Sequence, residues 1–366
     1  MLTSQRATSA GRIATLDGWR GIAIVLVLME HAASDSSYRD YWWARLGYLG
    51  VDIFFVLSGY IITSRLLEEE KKAGSISLRG FYLRRAFRIL PLVMTYLAAV
   101  SVLSLFRDVD VHPSQVLGAL FFFRNYQVAS HSVGVPTGHF WSLSVEEHFY
   151  LFWPLLLLLN GRRRSLAIAL VGALACGNWR FYDSAHPDSF VGRWLPGVDA
   201  SHRILRTDAR LDGLLLGCAV AILLEMPSVR AFVARNFPKE LPLICAVLFF
   251  FNLSLTGGYP TLANYLIIAV GVACTLVVEE GLAFKWLNTR LLVWIGTISY
   301  SLYVWQQVFI YEVRVLRPLG VLNMFPYNFV ALAAVASLSF YCLEKPLIRY
   351  GRRFGKMGEI QPVAAV

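Results

Sequence analysis

Glu30 and His31 fall near the end of LDGWRGIAIVLVLMEHAAS, residues 16–34, where an apolar run long enough for a bilayer would otherwise continue. A carboxyl and an imidazole are costly in hydrocarbon, so an ionisable residue at that depth marks a candidate functional position. Arg20 and His31 are eleven residues apart, which on a helix returns them to nearly one azimuth, about 16 Å apart along the axis. With Arg20 at the inner boundary, His31 lies at or beyond mid-membrane. A phosphate-attracting group below and a titratable ring above suit a ligand that enters from the cytoplasm. A hydrogen bond from His31 to a neighbouring helix is the competing structural role.

The stretch GHFWSLSVEEHFYLFWPL, residues 138–155, gathers Trp141, Ser142, Ser144, Glu146, Glu147, His148 and Tyr150 into one helical segment. Adjacent carboxylates point about 100° apart on a helix, so only one of Glu146 and Glu147 can face a given partner. Carboxylate with imidazole is the pairing of general-base chemistry, in which the acid orients the ring and stabilises its cation. Acids favoured by the dipole at a helix start are the alternative. In RGFYLRRAFRILP, residues 79–91, Arg84 and Arg88 are one turn apart with Arg85 beside them. Clustered guanidiniums bind phosphate oxygens bidentately, and they also anchor a chain to anionic lipid.

Weaker signals accompany these clusters. GVDIFFVLSGYI carries Asp52, Ser58 and Tyr60 in an apolar context, with Ser58 and Gly59 small enough for close packing. RILRTDARLDGLLLG brings Arg203, Arg206, Arg210 and Asp212 together, either to hold an anionic or sugar acceptor or to pair with each other. ISYSLYVWQ places Ser299, Tyr300, Ser301 and Tyr303 in one span, where aromatic rings could stack on a sugar or form an interfacial belt.

Membrane helices must position these groups. Of the 366 residues, 57% are apolar and 16% charged, too apolar a balance for water alone. A bilayer core takes about 20 residues per helix. Runs of that size fall near 16–34, 46–66, 89–107, 141–160, 165–182, 208–225, 241–256, 261–280, 291–312 and 326–343. The expected fold is therefore an all-α polytopic membrane protein of about ten transmembrane helices, with a short half-helix near 116–123. From a cytoplasmic N-terminus, this count puts most of the 34 Lys and Arg residues on the inner side, as the positive-inside rule requires. Residues 1–15 are then a cytoplasmic segment, 16–343 the transmembrane domain and 344–366 a cytoplasmic basic tail. A cleavable signal peptide is disfavoured because Glu30 and His31 interrupt its apolar core. The charge of +10 follows the loops, which speaks for membrane lipids and against nucleic acid. Five cysteines form an odd set without a CxxC pair, and the scattered histidines give no HxxxH or HExxH motif. Neither a disulfide framework nor a metal site is expected.

The chain resembles the acyltransferase-3 family of membrane O-acyltransferases. The likeness runs from about Leu16 to Arg353 through LDGWRGIAI with Arg20 and His31, GVDIFFVLSGYIIT, RRAFRILP, FWSLSVEEHFYLFWPL, RLDGLLLG, ISYSLYVW and LEKPLIR, in family order. It implies ten helices in a bacterial inner membrane, with both ends cytoplasmic. Acyl-CoA, acetyl-CoA above all, would be co-substrate, and the acceptor a hydroxyl of an envelope glycan, glycolipid or secreted metabolite. On that reading His31 is the general base supported by Glu146 or Glu147. Arg20, Arg84, Arg85 and Arg88 hold the coenzyme, and no metal takes part. Asp52, Ser58, Tyr60, Trp141, Ser144, His148, Arg206, Arg210, Tyr300 and Tyr303 are candidate substrate contacts. Two departures stand out: EEHFY replaces the common EEQFY, adding His148, and LYVWQQ puts Gln306 at a usual histidine. The chain closes on its basic tail, so the acceptor is expected to come to the membrane domain itself. A secondary transporter of a lipid-linked or small anionic substrate is the rival function.

Overall fold

The computed structural model describes residues 13–34, 47–106, 111–127, 135–186, 203–256, 259–310 and 319–356, and among them every regular element is helical. Three long helices come first: α1 (Ala14–Ser34), α2 (Gly47–Ala73) and α3 (Leu78–Leu105). Ser77 caps α3 by accepting the Gly80 N–H at 3.1 Å, so this helix begins well before the apolar run at 89. Arg84, Arg85 and Arg88 therefore ride on an established helix.

The short apolar piece forms α4 (Pro113–Leu120), started by His112 in a capping box with Gln115. It begins three residues earlier than the half-helix expected over 116–123 and has the same length. The chain leaves it at Phe121, and Phe122 takes a positive φ of 59°. One turn, α5 (Arg124–Gln127), follows. The two runs at 141–160 and 165–182 form one element, α6 (Phe140–Ala185), broken at Gly161 with φ 67° and ψ 178°. A side chain is strained at that backbone geometry, so glycine sets the site of the break.

Next come α7 (Leu211–Leu224), α8 (Pro227–Asn236), α9 (Leu241–Thr256), α10 (Leu262–Val277) and α11 (Gly281–Leu287). The expected span at 291–312 is instead two helices, α12 (Arg290–Thr297) and α13 (Ser299–Phe309), interrupted at Ile298. In α14 (Tyr327–Leu338) the chain continues through a π turn at Ser339–Glu344 into α15 (Lys345–Lys356).

By length and composition, three of the described helices can cross a membrane: Leu49–Ala73, Leu78–Leu105 and Tyr327–Arg353. The number reaches five if α7 with α8 (bent by 98°) and α10 with α11 (bent by 86°) each count as one span. Apolar composition overstated the continuity of the helices. Both α9 and α10 have 16 residues, about 24 Å of helix against the roughly 30 Å of a hydrocarbon core.

Small residues bring the helices close. A Cβ added to Gly59 on α2 would lie 1.9 Å from the Leu214 carbonyl oxygen, and one on Gly217 of α7 would lie 2.0 Å from that of Val56. Backbone thus meets backbone across α2 and α7. One core cluster joins α1, α2, α3, α6, α7 and α13 around Tyr96, Phe140 and Trp153. The Trp153 Nε1 donates to Thr63 Oγ1 at 2.8 Å. A second cluster lies where α2 and α7 meet α10. At one end of the molecule, Glu69 accepts from Arg84 at 2.6 Å, Glu70 from Arg162 at 2.8 Å, and Glu225 pairs with Lys71.

Candidate active site

A cavity of about 130 Å³ opens between α1, α2, α3, α6 and α13, lined by Arg20, Ser58, Arg85, Arg88, Ser142, Glu146, Tyr150, Ser299, Tyr300 and Tyr303 among apolar neighbours. Its cations come from two helices. Arg20 projects from α1 with Asp17 at 3.8 Å, and Arg85 and Arg88, three residues apart, come from one face of α3. The Arg85 guanidinium lies 4.2 Å from the centroid of the Tyr150 ring, a cation–π contact. Among the described residues neither Arg85 nor Arg88 has a carboxylate within ion-pair distance. Arg84, 100° further round α3, turns to Glu69 and is not among the lining residues.

The carboxylate of the cavity is Glu146. Its Oε1 accepts from Ser58 Oγ at 2.9 Å and its Oε2 from Tyr150 OH at 2.9 Å. Two hydroxyls fix the group in one orientation, with Ser58 supplied by α2 and Tyr150 from one turn further along α6. Glu147 points elsewhere. It is half-buried, and its Oε1 is enclosed without a hydrogen bond. At the far wall, Ser142 Oγ donates to Tyr303 OH at 2.6 Å, and Tyr303 donates on to the His139 carbonyl at 2.6 Å. The Tyr300 hydroxyl donates to the Ile89 carbonyl at 3.0 Å.

His31 is half-buried on α1 and is not among the cavity-lining residues. Its Nδ1 lies 2.8 Å from the Val27 carbonyl. In the neutral ring that contact makes Nδ1 the protonated nitrogen and leaves the lone pair on Nε2.

The remaining candidates lie away from the cavity. Asp52 and Arg210, each 1% exposed, pair at 2.8 Å, and Tyr265 on α10 donates to the same Asp52 oxygen at 3.0 Å. Arg206 bonds Asp183 at 3.1 Å and Asp208 at 2.8 Å. These arginines pair mainly with aspartates of other helices, which takes up the charge that sequence reading offered to an acceptor. Trp141 sits edge-on to Phe55, with the Arg210 guanidinium 5.3 Å from its ring. Ser144 is spent on the Phe140 carbonyl of its own helix at 2.9 Å. Tyr60 packs with the second core cluster. His148 meets Thr207 Oγ1 at 2.6 Å beside the rings of Phe123 and Tyr126. Gln306 is fully buried, with neither amide atom hydrogen-bonded.

Sequence reading missed Arg180, Asp183 and Tyr265 as partners in this network. Arg180 binds Asp212 through two contacts, at 3.0 and 2.7 Å. Its signal was present: an arginine inside the apolar run 165–182. It also gave no weight to Glu344, buried on the π turn and bonded by Ser301. The five cysteines are free, four of them buried, and no group of potential metal ligands occurs among the described residues.

Comparison with known proteins gives this architecture a context. The chain is 28% identical to the peptidoglycan O-acetyltransferase OatA of Listeria monocytogenes across 93% of its own length and 56% of that protein. A putative O-acetyltransferase of Staphylococcus aureus is 29% identical across 92% of this chain and 57% of its own length. The O-acetyltransferase OatA of Staphylococcus aureus is 28% identical over the same shares. The chain thus spans a little over half the length of the curated relatives it matches. No solved structure matches it. The family described as the acyltransferase domain matches residues 13–344, nearly the whole chain, and this helical membrane protein belongs to that acyltransferase-3 family.

Proposed function

We propose that the chain is the membrane unit of an O-acyltransferase that moves a short acyl group, acetyl in the simplest case, from acyl-CoA to a hydroxyl. The acceptor belongs to an envelope glycan, a glycolipid or a secreted metabolite. The name of the Listeria relative favours a peptidoglycan-like glycan. One observation carries the reading: Arg20, Arg85 and Arg88 share a single cavity with Glu146 and the hydroxyls of Ser58 and Tyr150. Arg85 and Arg88, which have no carboxylate at ion-pair distance among the described residues, fit the phosphates of a coenzyme A carrier. The residues present therefore suit this co-substrate, and they require no metal.

In this mechanism the arginines hold the carrier at the cytoplasmic end and its acyl arm reaches toward the outer half of the membrane. His31 takes the proton of the acceptor hydroxyl at Nε2 while the Val27 carbonyl keeps Nδ1 protonated. Glu146, oriented by Ser58 and Tyr150, offers the negative charge that stabilises the imidazolium or steers the acceptor. Base catalysis of this kind contributes about 10²–10⁴-fold. The topology that goes with it has ten membrane crossings of a bacterial inner membrane. Residues 1–15 and 344–366 then lie in the cytoplasm and flank a transmembrane domain at 16–343.

The test is turnover of labelled acetyl-CoA by the protein in lipid nanodiscs. His31→Ala and Glu146→Gln are each expected to lose about 100-fold or more of transfer with thermal unfolding unchanged. Full turnover by folded His31→Ala overturns the base assignment. A transporter would move its substrate without breaking the thioester, so release of free coenzyme A separates the two functions.

A further inference from the structure

The cationic end of the cavity has a wall that the chemistry above leaves unused. α13 starts there, with Ser299 and Tyr300 among the lining residues. Its N-cap is Ile298, which makes no side-chain capping bond. The first N–H groups of any helix lack intrahelical acceptors, and the helix dipole places roughly half a positive charge at that end. Ser299 is fully buried and its Oγ has no hydrogen-bond partner. Its neighbours are committed elsewhere, Tyr300 to the Ile89 carbonyl and Ser301 to Glu344. Ser299, an enclosed and unpartnered hydroxyl beside a helix start, lines the same cavity as three guanidiniums and the Glu146 carboxylate, a donor set suited to an anion.

We propose that Ser299 and the first turn of α13 complete, with Arg20, Arg85 and Arg88, a cradle for a phosphate group. The Ser299 hydroxyl and the first-turn N–H groups donate to phosphate oxygens, and the arginines neutralise the charge. This rests on reading the cavity as the acyl-donor site, and it assigns the diphosphate of coenzyme A to that wall. A lipid headgroup phosphate has the same chemistry.

The experiment measures binding of coenzyme A, dephospho-coenzyme A and inorganic pyrophosphate to the full chain. Nanodiscs of phosphatidylcholine are compared with nanodiscs that also contain phosphatidylglycerol. Ser299→Ala is expected to weaken all three probes by a common factor of about five to ten. Ser299→Asp puts a carboxylate where the phosphate would sit. It is expected to abolish binding while the ligand-free protein melts at the same or a higher temperature. Binding of all three probes within twofold of the parent in both variants, with Arg88→Ala losing it, overturns the cradle and leaves the donor site standing. Failure of the parent to bind any probe in either lipid overturns both. Pyrophosphate binding that phosphatidylglycerol suppresses, with none of coenzyme A, supports the cradle, assigns it to a headgroup and overturns the donor reading.

Discussion

Arg84, Arg85 and Arg88 occupy just over one turn of α3, yet their surroundings differ. Arg84 is held by Glu69 at 2.6 Å, whereas Arg85 and Arg88 line the cavity. If the cavity receives phosphates, the three should separate in a binding assay. Arg85→Ala and Arg88→Ala are expected to weaken coenzyme A binding by about 10- to 100-fold, the range for a charged hydrogen bond. Arg84→Ala should change it by less than about fivefold, since Arg84 lies off the cavity lining and its partly exposed pair with Glu69 contributes about 1 kcal/mol or less. Equal losses at all three positions would show that general positive charge, and not the cavity, attracts the ligand. The sequence showed that arginine, glutamate and histidine interrupt apolar runs, because such residues are conspicuous there. It could not show which of three near-adjacent arginines faces inward. That depends on the azimuth of α3 against α2 and α6, which only packing settles. The same limit applies at Glu146 and Glu147: the 100° rule says that one faces the partner, and Ser58 on another helix determines which.

At the scale of elements, most helices were legible as apolar runs, and their continuity was not. Gly161 and Ile298 break elements that hydropathy reads differently. Glycine at 161 joins two runs in one bent element, whereas Ile298 splits a single run although it is itself apolar. The break at Ile298 matters for function because it creates the helix start that faces the cavity. Close approach was partly readable from Ser58-Gly59 on α2, but its partner Gly217 needed the tertiary contact. Gly217→Leu is expected to force α2 and α7 apart, since even a Cβ would stand 2.0 Å from the Val56 carbonyl oxygen. Overpacking of this kind typically costs about 1–3 kcal/mol. Here the obstacle is backbone, so the loss should reach or exceed the top of that range. Thermal unfolding in detergent measures it. Because α2 carries Ser58, the partner of Glu146, any folded Gly217→Leu protein should also lose turnover. Unchanged melting would mean that this helix pair yields easily and that the contact does not set the position of Ser58.

On the scale of the whole molecule, the buried ion network ties together segments far apart in the chain. Asp52 on α2 meets Arg210 ahead of α7 and Tyr265 on α10, while Arg180 and Asp183 on α6 meet Asp212 and Arg206. These arginines were visible in the sequence as a cluster that could bind an acceptor or pair internally. Composition alone could not choose, because their partners come from distant helices. The choice has an energetic signature. Removing one member of a buried pair leaves a charge without its partner and costs about 3–5 kcal/mol, whereas exchanging both for apolar residues is often neutral or stabilising. Arg210→Met alone is therefore expected to lower thermal stability severely, since the buried Asp52 would lose its ion-pair partner. Asp52→Leu with Arg210→Met should recover most of that loss. An acceptor-binding Arg210 gives the opposite pattern: the single variant stays near parental stability, and the double variant folds but cannot use acceptor. Measuring unfolding and turnover on the same three proteins separates the two. Recovery of both in the double variant would establish that the network holds α2, α6, α7 and α10 in register around the cavity and touches no substrate.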